Sequence, residues 1–413
     1  MLPCHFAALP LYSFMSDKTR NILAIVMLAV LAVSAFVAGY FTNDFVELQT
    51  GGTLVRQRDE FDVFWEAWDR IEESFIGDLP TSQNVAYGAI RGSMLNLNDP
   101  YTIFIEPVVR QEERQSLQGH FGGIGATLSR LEEGAPIVLD PIPGNPAEAA
   151  GVRPGDVLVA VDEVEITSEM TVIAVRDMIR GEKGTIVRLT VIHEGETAPV
   201  VLEIERDDIL DPSVFSRIVG DDGTVGYIRL ARFSGESSSE VEDAITGLLD
   251  DGAESLILDL RNNGGGLLNA AVDVSDHFLV GGPIMYQVTK DEGERAYLAT
   301  DETLVPEIPL VVLINGGTAS ASEIVAGAMQ DRERATLIGD QQSFGKGSVQ
   351  LVYDLSDGSS VHVTSARWYT PDKNQIDQEG LEPDILVEMT QEAIENGRDE
   401  VLNRAIEYLQ EGR

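Results

Sequence analysis

The chain has 413 residues, 43% of them hydrophobic, with 69 acidic against 29 basic side chains and a formal charge of -40. This length and apolar content suit two or three folded domains and exclude a disordered chain. So acidic a surface repels a phosphate backbone, excluding nucleic acid as a partner, and is chiefly a solvation property that says little about substrate.

At the N-terminus, Cys4 is the single cysteine, so neither an intramolecular disulfide nor a Cys-based zinc site can form. Residues 1-21 form a short polar-tipped segment. Ile22 to Phe41 then runs for twenty residues without a charge, enough to span a hydrocarbon core of ~30 Å as a helix. Lys18 and Arg20 precede it while Asp44 and Glu47 follow, which places the N-terminus in the cytoplasm and the body outside, in the periplasm or at the cell surface. A cleaved signal peptide, with small residues around Val33 to Ala35 and secretion of the body, is the rival reading.

After a linker over 42-58, the segment 59-107 carries two helical patterns, Asp59 to Phe75 and Gln83 to Leu97, with Trp65 and Trp68 on or near a buried face. Asn98, Asp99 and Pro100 end the second, and an extended stretch runs from Tyr101 to Pro107. Over 115-206 short β-rich runs alternate with glycine and proline turns around one helix, Met170 to Ile179, as in a small, partly open barrel. Over 207-390 strands at Val225 to Leu230, Ser255 to Leu260 and Leu310 to Ile314 alternate with helices at Ser237 to Leu249, Leu267 to His277 and Ala321 to Asp331. That order implies an α/β layer with a largely parallel sheet. Residues 391-413 read as a closing amphipathic helix.

Chemistry concentrates at three places. The strand Leu310 to Ile314 ends in Asn315, Gly316, Gly317, Thr318, Ala319 and Ser320 before a helix. There Ser320 either presents its hydroxyl to a carbonyl, with the Ala321 amide aimed at the oxyanion, or simply caps the helix. Ser322 competes from one residue inside. A hydroxyl needs a base. The five histidines (His5, His120, His193, His277, His362) stand singly, without metal-motif spacing, and read as structural. Lys346, in the small-residue loop Phe344 to Gly347, serves as base if buried and neutral, or is a solvated loop lysine. The same stretch fails as a nucleotide loop: five residues separate Gly339 from Gly345, and Gly347 stands where a hydroxyl must follow the lysine. At the end of the strand Ser255 to Leu260, the turn Arg261 to Gly266 exposes amides, and Gly265 is the candidate second oxyanion donor beside Ala321. Finally, Phe121, Gly122, Gly123, Ile124 and Gly125 form a glycine loop running into a strand, either an ordinary hairpin or an edge that takes a peptide and its terminal carboxylate.

In order, the chain reads AIRGSMLNLNDPYT from Ala89, FGGIG from Phe121, NPAEAAGVRPGDVL from Asn145, LDLRNNGGG from Leu258, GTASASEI from Gly317 and FGKGSVQ from Phe344, then WYTP and GLEPDI. It resembles over nearly its whole exported length the carboxyl-terminal processing peptidases, the tail-specific serine-lysine family with a PDZ domain. The resemblance implies an α/β core of the crotonase or ClpP-like type with an inserted PDZ domain, an N-terminal helical unit and an N-terminal transmembrane helix. It implies Ser320 as nucleophile, Lys346 as general base, Gln350 as the residue that orients the lysine, and Phe121 to Gly125 as the carboxylate loop. The implied partners are proteins with unstructured C-terminal tails, with a homo-oligomer or a regulatory protein left open. No metal or cofactor is required. A departure near Glu333 bears on the placing of Lys346, and Asp162 and Glu163 stand where an aspartate-glycine turn is common. A catalytically silent PDZ scaffold and, more remotely, a thioester hydratase are the alternatives.

Overall fold

The computed structural model describes residues 61-411 apart from 133, 391-392 and 394-395. The apolar run Ile22 to Phe41 lies outside them; among the described residues no helix is long and apolar enough to cross a membrane. The chain divides into two units, 1-86 and 87-413. In the first, α1 (Asp62–Ser74) has the expected helical period, but none of its residues is buried, and Trp65 is exposed rather than turned to a core. Helix α2 (Ser82–Leu95) crosses the division.

In the second unit the extended stretch becomes β1 (Ile103–Ile105), followed by α3 (Pro107–Gln118). Proline in the first turn of α3 and Gly119 in the left-handed region beyond its end bound it, as helix chemistry prefers. The β-rich region enters through β2 (His120–Gly123) and continues as β3 (Ala126–Ser129), β4 (Val138–Pro141), α4 (Pro146–Ala149), β5 (Asp156–Val161), β6 (Val164–Glu165), α5 (Val172–Ile179), β7 (Ile186–Ile192) and β8 (Val200–Glu205). It leaves through β9 (Asp207–Leu210), which pairs antiparallel with β2. The order β3-β4-β5-β7-β8, with β6 on β5, encloses a core that includes Ile137, Leu139, Val175 and Leu189. At the β5-β6 turn, Asp162 takes a positive φ of 53°, and its carboxylate accepts the Arg188 amide at 2.9 Å. An aspartate thereby does the turn's work without the glycine.

The remaining chain builds two sheets. Strands β10 (Val214–Val219), β11 (Val225–Leu230), β12 (Ser255–Asp259), β15 (Leu310–Ile314), β16 (Thr336–Gly339) and β19 (Ile385–Leu386) stand side by side, parallel except for β10. Helices α6 (Ser237–Asp250), α7 (Leu268–Asp276) and α8 (Ala321–Asp331) pack on one face, against Ile228, Leu258, Val312 and Ile314. Helix α9 (Glu400–Glu411) covers the other, against Tyr227, Ile257, Val311 and Leu313. Alternating side chains thus enter two cores, which is why β15 reads as an unbroken apolar run and β12 is apolar from Leu256 to Leu258.

The second sheet, order β1-β18-β13-β14 with β17 on β18, is antiparallel and was not foreseen. It comprises β13 (Pro283–Thr289), β14 (Gly293–Leu298), β17 (Ser348–Asp354) and β18 (Ser360–Tyr369). Strand β1, placed with the helical unit in the sequence reading, belongs to this sheet through its register with Ser360 to His362.

Candidate active site

Strands β12 and β15 are parallel neighbours, so the turns at their C-terminal ends meet. Open α/β sheets commonly place ligands at this edge. Ser320 sits between β15 and α8 with φ 57° and ψ -117°, a conformation that costs a non-glycine residue energy and is held by its surroundings. It is the N-cap residue of α8, in a capping box with Glu323, and it also lines a cavity of about 410 Å3. Ala321, Gly264, Gly265, Gly266, Lys346 and Gln350 line the same cavity.

Ser322, the competing serine, is fully buried, and its hydroxyl donates to the Asn263 carbonyl at 2.8 Å. Its place is structural. Asn263 ties the two turns together: its carbonyl also accepts the Ala319 amide at 3.0 Å, and its side-chain nitrogen donates to Leu230 O at 2.8 Å. That leaves its Oδ1 to accept the Gly265 amide at 2.9 Å. The expected second oxyanion donor is therefore engaged in this conformation. Among the described residues, the amides of Ala321 and Gly266 donate to no protein acceptor.

Gly265 nonetheless has to be glycine. Its φ is +103°, and a Cβ would stand 2.9 Å from Ser320 Cβ and 3.0 Å from Ala321 N. Gly265→Ala is expected to displace Ser320 and lower kcat at least ~100-fold, since small misplacements at reacting centres have such effects. A variant with unchanged turnover would show that the close approach is not needed.

Lys346 precedes β17. Burial pulls its amine below the ordinary lysine value of 10.5, with Glu113 and Glu323 pulling the other way. Its Nζ lies 5.5 Å from the ring centroid of Tyr101. Tyr101 is held by the segment Asp99 to Thr102, where Asp99 accepts the Tyr101 amide and the Thr102 hydroxyl. The Lys346 carbonyl accepts Trp368 Nε1–H at 3.0 Å. Gln350 follows the point where β17 slips in register against an extra residue, Ser365, of β18, and it lines the cavity, but its amide donates to Ser348 Oγ at 2.8 Å. Among the described residues no hydrogen bond joins Gln350 to Lys346.

Glu323 was missed by the sequence reading. It is fully buried, and its carboxylate accepts four hydrogen bonds: from Ser320 N at 2.8 Å, Lys346 N at 2.9 Å, Gly345 N at 2.7 Å and Ser343 Oγ at 2.6 Å. One side chain therefore joins the serine's turn to the lysine's loop. A clue was present: a glutamate three residues after a serine, in a helix that is buried from Ala321 to Met329, requires partners.

A second concavity, of about 140 Å3, is lined by Phe121, Gly123, Ile124 and Gly125 together with Leu128, Val172, Ile179, Arg176 and Arg180. Among the described residues, the amides of Ile124 and Gly125 donate to nothing. Gly122 lies outside the groove, against Gly181, whose carbonyl oxygen a Cβ would approach to 2.0 Å.

Comparison with known proteins gives this geometry its family. Residues 224–387 match the model of peptidase family S41, and residues 137–192 match a PDZ domain. A carboxy-terminal-processing protease of Bartonella bacilliformis is 38% identical over 79% of this chain and 74% of its own length. The chain belongs to peptidase family S41. A carboxyl-terminal-processing protease of Synechocystis is 35% identical over 84% of this chain and 82% of its own. Among solved structures, a photosystem II D1 C-terminal processing protease is 35% identical, covering 78% of this chain and 86% of its own at a TM-score of 0.44. This S41 protein is accordingly a serine peptidase with a PDZ domain, mixed α/β in fold, acting on peptide or protein substrates. It is not a silent scaffold.

Proposed function

We propose that this S41 peptidase is a membrane-anchored endopeptidase, its body outside the cytoplasm, which binds the C-terminal tails of proteins and cuts them with a Ser320-Lys346 dyad. The observation that carries this is the joint lining of one cavity by Ser320 and by a lysine whose burial favours the neutral amine. Neutral Lys346 takes the proton of the Ser320 hydroxyl as the serine oxygen bonds to the substrate carbonyl carbon. The oxyanion meets the Ala321 amide and, beside it, the Gly264 to Gly266 turn, where Gly266 is free and Gly265 engaged. The lysine ammonium then protonates the leaving amine. A water activated by the same lysine releases the acyl group from Ser320.

Gln350 supports this arrangement from the cavity wall, acting through Ser348 and the course of β17. The crotonase-type core fits the parallel sheet whose strand ends carry Ser320 and the Gly264 to Gly266 turn. The apolar run Ile22 to Phe41 and its charge asymmetry support the anchor and the outside location.

The free amides of Ile124 and Gly125, beside an apolar groove, support capture of a terminal carboxylate. An unfolded reporter protein with a free apolar C-terminus, compared with the same protein amidated at its C-terminus, tests the whole reading. Amidation is expected to lower kcat/KM ~10-fold or more, the value of a charge-assisted hydrogen bond. Equal rates would remove the groove from substrate selection, and no Ser320-dependent cleavage of either would remove the dyad.

A further inference from the structure

Strand β17 runs on from the lysine's loop along the cavity that holds Ser320 and Lys346, and among the described residues it pairs with β18 alone. It is therefore an edge strand, and the direction of its main-chain groups can be read at both ends. Gly347 O accepts the Trp368 amide, and the Leu355 amide donates to Ser359 O, so odd-numbered residues turn their main-chain groups toward β18. The extra residue at the slip, Ser365, lies on β18, which leaves the alternation along β17 unbroken. Even-numbered residues turn theirs outward, and of these Ser348, Gln350 and Val352 line the cavity. Ser348 is buried, but Gln350 is half-buried and Val352 is 40% exposed. Among the described residues nothing across the edge pairs with the main-chain amides or carbonyls of Gln350 and Val352. Sheet edges are ordinarily guarded by charge, by proline or by a twist away from neighbours. From Ser348 to Tyr353 this edge has neither charge nor proline, and Leu351, Val352 and Tyr353 are exposed along it.

We propose that the outward edge of β17 is a substrate-binding strand, to which an extended stretch of polypeptide adds by exchanging main-chain hydrogen bonds with Gln350 and Val352. This rests on the reading of Ser320 and Lys346 as the dyad. Continuity names the occupant, because the unpaired edge and the dyad border one space, and the chain that reaches the dyad passes the edge. Leu117 and Leu268 border the same space and suit the alternate side chains of an added strand. Gln350 and Val352 stand four and six residues beyond Lys346, or ~13 to ~20 Å of extended chain. They therefore hold substrate residues several places from the scissile bond, on one side of it. Pairing of this kind reads the backbone and not the side chains, so it imposes little sequence preference of its own. It does impose a state: a segment whose backbone is already paired in a fold cannot add to the edge.

The test uses full-length protein in mild detergent and a quenched-fluorescence peptide that the wild type cleaves, carrying a single backbone N-methyl group at each position in turn. Two positions separated by one residue are expected to lose ~10-fold each in kcat/KM, as for one hydrogen bond, while the position between them changes less than ~2-fold. Losses without this period of two overturn the proposal. Val352→Pro deletes the outward N–H and spares the ladder to β18, and it is expected to raise KM ~10-fold with kcat changed less. A folded Val352→Pro enzyme with the KM of wild type overturns the proposal. If the same variant also dissolves a wild-type dimer, the edge belongs to a second copy of the chain instead. Should Val352→Pro not fold, the N-methyl series on the wild type decides alone. Cleavage surviving Ser320→Ala would take down the dyad and this inference together, whereas Ser320-dependent cleavage without the period of two would remove the inference alone.

Discussion

Ser320→Ala and Lys346→Ala are each expected to lower kcat by ~10⁴-fold or more while tail binding persists, because members of one nucleophile-base unit fail together. Lys346→Arg is expected to be as inactive, since a guanidinium keeps its proton at any workable pH. The base must be neutral, and burial sets the Lys346 amine below 10.5. Cleavage should therefore rise with pH through that depressed value and be lost on the acid side as the amine protonates. Stability carries the opposite mark of the same shift. Below 10.5 the unfolded chain holds a proton that the folded lysine binds more weakly, so the buried amine costs the fold stability; the cost is full below the folded value and vanishes above 10.5. Lys346→Met is thus expected to melt higher than wild type near pH 6 while being inactive. A full-rate Lys346→Met enzyme would require a different base.

The second large effect belongs to Glu323. All four of its partners donate: Ser320 N and Lys346 N to one oxygen, Ser343 Oγ and Gly345 N to the other. Glu323→Ala strands all four and is expected to cost ~3–5 kcal/mol in urea unfolding, the range for breaking a buried charged network. Glu323→Gln has the right shape and the wrong chemistry, because its NH2 must face two donors. It is expected to fold with a loss of ~2 kcal/mol and to lower kcat ~100-fold or more, with KM changed little. Glu323→Gln turning over like wild type would mean that the serine's turn and the lysine's loop hold their places without this link.

The residues that told their story in sequence are those whose role is local. Val225 to Leu230 and Leu310 to Ile314 are strands as expected, and α8 spans the expected residues, because an apolar run and a following helix period are short-range signals. Ser320 was legible as a serine on a strand-to-helix turn. Lys346 was legible only through the family resemblance, since nothing local distinguishes a buried loop lysine from a solvated one. Glu323 was hidden by its own capping pattern: three of its four hydrogen bonds reach residues 343 to 346, a distance no local pattern expresses. The second sheet was missed for the same reason, as β1 meets β18 across more than 250 residues of chain. Gly265 was read as a second oxyanion donor with an exposed amide, but the direction of that amide depends on Asn263, whose side chain answers to Leu230 on another strand.

Strands β2 and β9 carry the chain into and out of the PDZ region, and they are hydrogen-bonded to each other from His120 to Gly123. An insert hung on two separate loops can tumble like a ball on a string. One hung on a paired ribbon bends as a strap does, easily about the axis across its face and stiffly in every other direction. A tail held in the proposed groove next to Phe121 would then be tied to the core by a paired ribbon rather than by two loose connections.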